Sequence, residues 1–233
     1  MRAKKTLVSW SSGKDSAWTL HVLQQDPEID VVGLFCTINT KADRVAMHAV
    51  RTNLLNRQAK SLGLPIELIG LPNPCTNKDY EEIMAVFVDK SKARGIEQFA
   101  FGDLFLEDVR TYREKHLLGT GIKPIFPLFG KQTPGLAREM IAGGLEAVIT
   151  CVDPNQAPEN LIGRQYNEEL FAELPEKVDP CGENGEFHTF VSNGPMFEFP
   201  LEIKVGEIVQ RDGFLFADIL PALDKQSRTS PDT

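Results

Sequence analysis

Residues 8–20 read VSWSSGKDSAWTL. An apolar segment leads into a short polar loop with one glycine and one lysine, and a helical pattern follows. This order predicts a strand, a loop and a helix, and α/β sheets bind ligands at the loops that follow their strands. Two nucleotide-binding motifs are excluded. A P-loop would need glycine in place of Val8 and serine or threonine in place of Asp15, and a dinucleotide-binding loop would need more glycines than Gly13 alone.

The segments that follow alternate between strand-like and helical patterns. The strand-like ones are apolar and rich in β-branched residues, as in parallel strands that are covered on both faces. One helical segment opens with a capping box formed by Thr76 and Asp79. We predict strands over 6–10, 30–38, 65–71 and 97–103, and helices over 15–25, 44–63, 76–95 and 106–118. Such βαβ units predict an α/β fold with a Rossmann-like, doubly wound parallel sheet.

The pattern changes after Gly121. One further helix–strand unit spans 136–152, a short helix follows near 166–174, and three strand-like segments lie beyond it. We therefore expect a second, smaller α+β domain. The predicted limits are 1–121 for the first domain, 122–224 for the second and 225–233 for a polar tail, which we expect to be disordered.

Composition restricts the class of protein. The chain has 233 residues and a formal net charge of -8, which argues against the basic surface that nucleic-acid binding needs. The four cysteines are scattered without a C-x-x-C pair, as in a reduced cytoplasmic protein. No apolar run approaches the roughly 20 residues of a membrane span. We expect a soluble cytoplasmic protein without a membrane partner, and a homo-oligomer is left open.

The loop SSGKDS resembles the pyrophosphatase loop S-G-G-x-D-S, with Ser12 at a position usually held by glycine. Successive backbone N–H groups at a helix N-terminus form an anion-binding nest. The serine hydroxyls add donors, and Lys14 adds a positive charge. A solvated turn with a serine N-cap is the alternative. The residues predicted to bind the nucleotide are Ser11, Ser12, Gly13, Lys14, Asp15 and Ser16.

Five blocks carry a wider resemblance: SSGKDSA (11–17), MH (47–48), FGDLFLEDVR (101–110), PIFPLFG (124–130) and DPCGENGEFHTFV (179–191). With them, the chain resembles the diphthine–ammonia ligase family of the N-type ATP pyrophosphatase, or adenine nucleotide alpha hydrolase, superfamily, and its bacterial paralogues in particular. The resemblance implies that the loop holds the β- and γ-phosphates of ATP with Mg²⁺. It also implies that a substrate oxygen attacks the α-phosphate, which gives an adenylated intermediate and pyrophosphate.

A second group of polar residues lies in CGENGEFHTF (181–190). A hairpin loop with exposed charges explains its composition equally well. The family, however, carries E-G-G-E-[FY]-E-T here, and the resemblance therefore favours a site. Glu183 and Glu186 could hold Mg²⁺ or position an attacking amine, and His188 and Thr189 could contact the substrate.

Three further positions bear on the chemistry. Asn184 and His188 depart from the family pattern, and the loss of a carboxylate at 188 weakens attraction for a cationic substrate such as diphthine. Asp103 follows a predicted strand, where it could bind Mg²⁺ or cap the next helix.

We therefore predict an ATP-dependent ligase that adenylates a carboxylate or amide-like oxygen and releases AMP and pyrophosphate. The substrate would be a small molecule or a protein-borne carboxylate, with ammonia or an amine as nucleophile. Lys14, Glu183 and Glu186 are the predicted catalytic residues, and Asp15 and Asp103 are the predicted metal ligands. Two alternatives remain open: a regulatory module that binds adenine nucleotides without turnover, and a sulfur-transfer or tRNA-modifying enzyme.

Overall fold

The computed structural model describes residues 2–41, 44–45 and 50–222, with the backbone alone for 44–45. The sequence block at 47–48 and the predicted tail at 225–233 lie outside the described residues. None of the helices within the described ranges has the length and apolar character needed to cross a membrane.

The elements alternate as the sequence predicts. The first part contains β1 (Lys4–Ser9), α1 (Lys14–Gln24), β2 (Ile29–Asn39), β3 (Arg44–Val45), α2 (Thr52–Ser61), β4 (Ile66–Leu71), α3 (Asn77–Ala93), β5 (Gln98–Ala100), α4 (Glu107–Leu117) and β6 (Lys123–Ile125). The second part contains α5 (Thr133–Ala142), β7 (Glu146–Val152), α6 (Glu168–Glu173), β8 (Phe187–Asn193), β9 (Ile203–Arg211) and β10 (Phe214–Pro221). The predicted capping box of Thr76 and Asp79 is present at the start of α3.

The first sheet has the strand order β4-β2-β1-β5-β6, with all neighbours parallel. The chain builds outward from β1 on one side and then crosses to build β5 and β6 on the other. The loops after β1 and β5 therefore diverge and leave a crevice at their carboxyl ends, where such sheets bind ligands. The predicted Rossmann-like fold is confirmed.

One predicted element is wrong in its extent. The helix expected over 44–63 is α2, which begins only at Thr52, because Arg44 and Val45 form β3. β2 continues past Phe35, the last residue that pairs with β1, and β3 pairs antiparallel with its extension at Ile38 and Asn39. The open edge of β2 therefore takes a strand where periodicity alone predicted a helix.

The second sheet is antiparallel, in the order β8-β7-β10-β9, and it confirms the smaller α+β unit. β6 belongs to the first sheet although it lies beyond residue 121. The domain limits 1–121 and 122–224 stay a prediction.

The two sheets share one apolar core. Trp18, Leu54, Met140, Ile149 and Phe190 are buried in a single cluster that joins α1, α2 and α5 to the second sheet. The opposite face of the first sheet is covered by α3 and α4 over a second cluster, rich in phenylalanine. The shared core fixes β8 against the loop that follows β1.

Gly102 generates a prediction about this packing. A Cβ there would lie 2.9 Å from the backbone carbon of Asp15 and 3.0 Å from the nitrogen of Ser16. Gly102→Ala should therefore displace the first turn of α1 and lower the free energy of unfolding by about 1–3 kcal/mol, as measured by urea denaturation. Gly135→Ala is the control, because its Cβ would meet nothing within 4 Å. Equal stability of the two variants would contradict the packing argument.

Candidate functional site

A cavity of about 720 Å³ lies at the carboxyl ends of β1 and β5. The first sheet contributes the loop after β1 and the residues after β5, and the second contributes the segment that leads into β8. The predicted site residues that line it are Ser11, Lys14, Asp15, Ser16, Asp103, Glu183, His188 and Thr189. Two groups of residues far apart in the sequence therefore meet in one cavity. Ser12, Gly13 and Glu186 are not in its wall.

Two serine hydroxyls stabilise the loop through hydrogen bonds between its own residues. Ser11 Oγ and Ser16 Oγ lie 3.2 Å apart, and Ser16 Oγ donates to the Gly13 carbonyl at 3.0 Å. The Gly13 N–H donates to Ser11 Oγ at 3.3 Å. α1 begins at Lys14, so the positive end of its dipole lies at the cavity wall, as an anion site requires.

Ser12 holds a conformation that glycine would hold more easily. Its φ is 73°, and the left-handed region costs a residue with a side chain about 1–2 kcal/mol. Its carbonyl accepts from the Val191 N–H at 2.9 Å and from Gln58 Nε2 at 3.2 Å. Its buried hydroxyl has no hydrogen-bond partner among the described residues. Ser12 therefore affects the conformation of the loop from outside the cavity wall.

Lys14 lies in the wall of the cavity and is only 2% exposed. Its ammonium donates to Asp15 Oδ2 at 2.9 Å and to the carbonyl oxygen of Cys181. Burial alone would lower the pKa of Lys14, but the negative charges around it, Asp15 foremost, outweigh burial and raise that pKa. The ammonium thus stays charged and joins the loop to the segment before β8.

The two predicted metal ligands differ in what they can still bind. Asp15 Oδ1 is buried with no hydrogen-bond partner among the described residues. Asp103 has both oxygens engaged, because Arg113 donates to them at 2.6 and 3.0 Å. The helix-capping alternative for Asp103 is wrong, since Leu106 is the N-cap of α4.

The described residues contain no group of three or more His, Cys, Asp or Glu side chains that could hold a metal ion. A metal would need ligands from a substrate in addition to Asp15. Mg²⁺ is often held in this way, by one or two carboxylates together with phosphate oxygens.

The two glutamates before β8 face different ways. Glu186 is 3% exposed and accepts from Asp179 N at 3.0 Å, from Asn184 N at 2.9 Å and from Asn184 Nδ2 at 3.0 Å. Its carboxylate is thus the internal anchor of its own loop. Glu183 lines the cavity, where its Oε1 accepts from the Leu104 N–H at 2.8 Å. Burial raises the pKa of Glu183 to about 7.

Thr189 and His188 lie at the start of β8. Thr189 Oγ1 accepts the Lys14 N–H at 3.1 Å, so this side chain contacts the loop directly. His188 lines the cavity and pairs with Cys151 of β7 in the sheet register. Their roles toward a substrate stay predictions.

The cavity also extends between α3 and α4, which the sequence did not indicate. Tyr80, Met84, Phe101 and Tyr112 line this part, called here the α3–α4 chamber. Helical periodicity places Tyr80 and Met84 on the buried face of α3, and that pattern cannot distinguish the wall of a cavity from a filled core.

Ser12→Gly tests the conformation of the loop. Glycine takes a positive φ at little cost, and the change also removes a buried unpaired hydroxyl, so we expect unchanged or higher stability in urea denaturation. Ser91→Gly is the control, since Ser91 is fully buried inside α3 and glycine should cost about 0.5–1 kcal/mol there. If Ser12→Gly loses as much stability as Ser91→Gly, the strain at Ser12 is refuted.

Comparison with known proteins gives two family matches. The diphthamide synthase N-terminal domain matches residues 4–124, and the diphthamide synthase C-terminal domain matches residues 132–219. Together they cover both sheets.

Individual relatives are more distant. A diphthine–ammonia ligase of Rattus norvegicus is 27% identical over 149 residues, covering 61% of this chain and 54% of the relative. The ligase of Homo sapiens is 26% identical over 147 residues, with the same coverage. The ligase of Danio rerio is 26% identical over 152 residues, covering 63% of this chain and 60% of the relative. The chain thus spans little more than half the length of these relatives. On the strength of both domain matches, it belongs to the diphthamide synthase family.

Proposed function

We propose that the protein is an ATP-dependent ligase. It would transfer the AMP group of ATP to a carboxylate or amide-like oxygen of the acceptor, with release of pyrophosphate. Ammonia or an amine would then attack the activated carbonyl carbon, and AMP would leave. The observation that carries the proposal is the shared cavity. In it, the loop after β1 of the first sheet faces Glu183, which lies in the segment that leads into β8 of the second sheet. Family membership and the names of the relatives support the same reaction class.

The loop after β1 suits a polyphosphate. The N-terminus of α1 supplies partial positive charge, and the hydroxyls of Ser11 and Ser16 can turn toward a ligand. Lys14 adds a full charge from within the wall. Because its ammonium is already bonded to Asp15 and Cys181, it would act on the phosphates mainly through its electrostatic potential.

Mg²⁺ would be held by Asp15 together with phosphate oxygens. The unpartnered Oδ1 of Asp15 is the observation that fits this role, whereas Asp103 would have to leave Arg113 to take part. When bound, Mg²⁺ would neutralise phosphate charge and orient the leaving pyrophosphate.

Glu183 is the residue best placed to handle a proton. A carboxylate with a pKa of about 7 can accept the proton that ammonium or an amine must lose in order to attack. The backbone N–H of Leu104 holds one carboxylate oxygen, so the other is available to a nucleophile in the cavity.

The acceptor would be a small molecule or a protein-borne carboxylate. Of the two departures from the family pattern, only His188 lies in the cavity wall. Asn184 donates to Glu186 instead and leaves the charge of the cavity unchanged. His188 is therefore the departure that would set the acceptor apart from diphthine, whose trimethylammonium group favours a carboxylate.

The products of turnover test the reaction class. The protein is incubated with α-labelled ATP, Mg²⁺, ammonium and a panel of carboxylates that includes diphthine-containing protein. We expect AMP and pyrophosphate only with an accepted substrate. Release of ADP and phosphate would refute cleavage at the α–β bond. Tight ATP binding without turnover across the panel would support a regulatory module instead.

The pH dependence of turnover tests Glu183. Because only the ionised carboxylate accepts a proton, we expect the turnover of the unmodified protein to rise with pH around a midpoint near 7. Glu183→Gln should lower turnover by about 10²–10⁴-fold and abolish this rise. Glu186→Gln is the control, since it should loosen the loop but keep the rise. An unchanged pH profile in Glu183→Gln would remove Glu183 from the proton transfer.

A further inference from the structure

We propose that Gln58 of α2 is a positioning residue for the phosphate loop. Gln58 would hold Ser12 in its left-handed conformation and thereby make nucleotide affinity depend on the docking of β8. The part of this inference that concerns nucleotide affinity rests on the function proposed above.

Gln58 is fully buried, and the hydrogen bonds of its side-chain amide go to the loop after β1 and to β8. Its Oε1 accepts from Trp10 Nε1 at 2.8 Å, while its Nε2 donates to the carbonyls of Ser12 at 3.2 Å and Val191 at 2.7 Å. The partners force the orientation of the amide, because an indole N–H can only donate and a carbonyl can only accept. No other residue type of this size offers one acceptor and two donors in this arrangement.

The bond to Ser12 acts where the loop turns. Gln58 Nε2 and the Val191 N–H both hold the Ser12 carbonyl, and that carbonyl shares a peptide plane with the Gly13 N–H. Fixing the carbonyl therefore fixes the direction of the Gly13 N–H, which donates to Ser11 Oγ at 3.3 Å and so helps to hold Ser11 in the cavity wall. Gln58 itself is absent from the cavity wall, so its effect on a nucleotide must pass through Ser12 or through Trp10, which lines the cavity. Only the route through Ser12 is relieved by glycine at position 12.

A purely structural explanation is that Gln58 only helps to hold α2 against β8 and the segment that follows β8. Ser61, one turn later on the same helix, provides that comparison. It is fully buried, its hydroxyl donates to the Phe199 carbonyl, and its own carbonyl accepts from the Glu198 N–H at 2.7 Å. Ser61→Ala thus weakens the same junction without touching the phosphate loop.

The experiment compares Gln58→Met with Ser61→Ala. We measure the affinity for Mg·ATP by calorimetry, the exchange of backbone amides in residues 11–16 and the thermal midpoint. Both variants should lose thermal stability. Gln58→Met alone should bind ATP at least about tenfold more weakly, equivalent to 1.4 kcal/mol, and exchange the loop amides faster. Equal affinity and equal loop exchange in the two variants would overturn the inference.

A rescue tests the route through Ser12. Adding Ser12→Gly to Gln58→Met removes the need to hold a side-chain residue at positive φ, so the double variant should recover most of the lost affinity. Purely additive effects would show that Gln58 does not act through Ser12. If Gln58→Met does not fold, Gln58→Glu replaces it, because its carboxylate keeps the Trp10 bond but faces two carbonyl oxygens.

Failure of the proposed function can be distinguished from failure of the inference about Gln58. If the unmodified protein binds no ATP, that function is refuted, while loop exchange still decides the positioning role of Gln58. Faster exchange in Gln58→Met than in Ser61→Ala supports the role, and equal exchange overturns it.

Discussion

The site depends on the hydrogen bonds that join the loop after β1 to β8 and to the segment that leads into β8. The Val191 N–H holds the Ser12 carbonyl, Thr189 accepts the Lys14 N–H, and the Lys14 ammonium reaches the Cys181 carbonyl. A loop between a strand and a helix is usually held within that one strand–loop–helix unit. Here its conformation is completed by residues about 170 positions later in the sequence. The two matched domains are therefore parts of one site.

Charge in the cavity wall is arranged around a partly buried pair. Lys14 and Asp15 neutralise each other at 2.9 Å, and because Lys14 is buried, removing Asp15 would leave a costly unpaired charge. Asp103 and Arg113 form a second pair in the same wall. Glu183 lies in the same wall without an ion-pair partner among the described residues. Burial raises the pKa of its carboxyl to about 7, so the protonation of Glu183 changes near neutral pH.

The sequence predicted the fold well because local patterns determine it. Alternating apolar strands and periodic helices required a parallel sheet, and the cap at Thr76 fixed one helix start. The predicted helix over 44–63 was wrong at its start, because β3 forms there. The length of β2 decides which of its backbone groups need another strand as partner, and that length is a property of the sheet. At the site, the loop was found from its residue types, and the 181–190 segment was identified through the family resemblance. The different directions of Glu183 and Glu186 were not predicted, because they depend on the turn that Gly182 and Gly185 form at φ of 67° and 87°. Gln58 gave no signal, since a glutamine on a helix matches no motif and its partners are distant in sequence.

The two ends of the cavity are built from different parts of the chain, and the α3–α4 chamber is one of these ends. One end is built from the loop after β1 and from β8, which are joined by hydrogen bonds across the two sheets. The chamber end is built largely from side chains on two helices that pack on the opposite face of the first sheet. Residues such as Tyr80 and Tyr112 can change without breaking any hydrogen bond that shapes the loop. Divergence within this architecture can accordingly reshape what enters the chamber while the loop after β1 and its contacts with β8 stay unchanged.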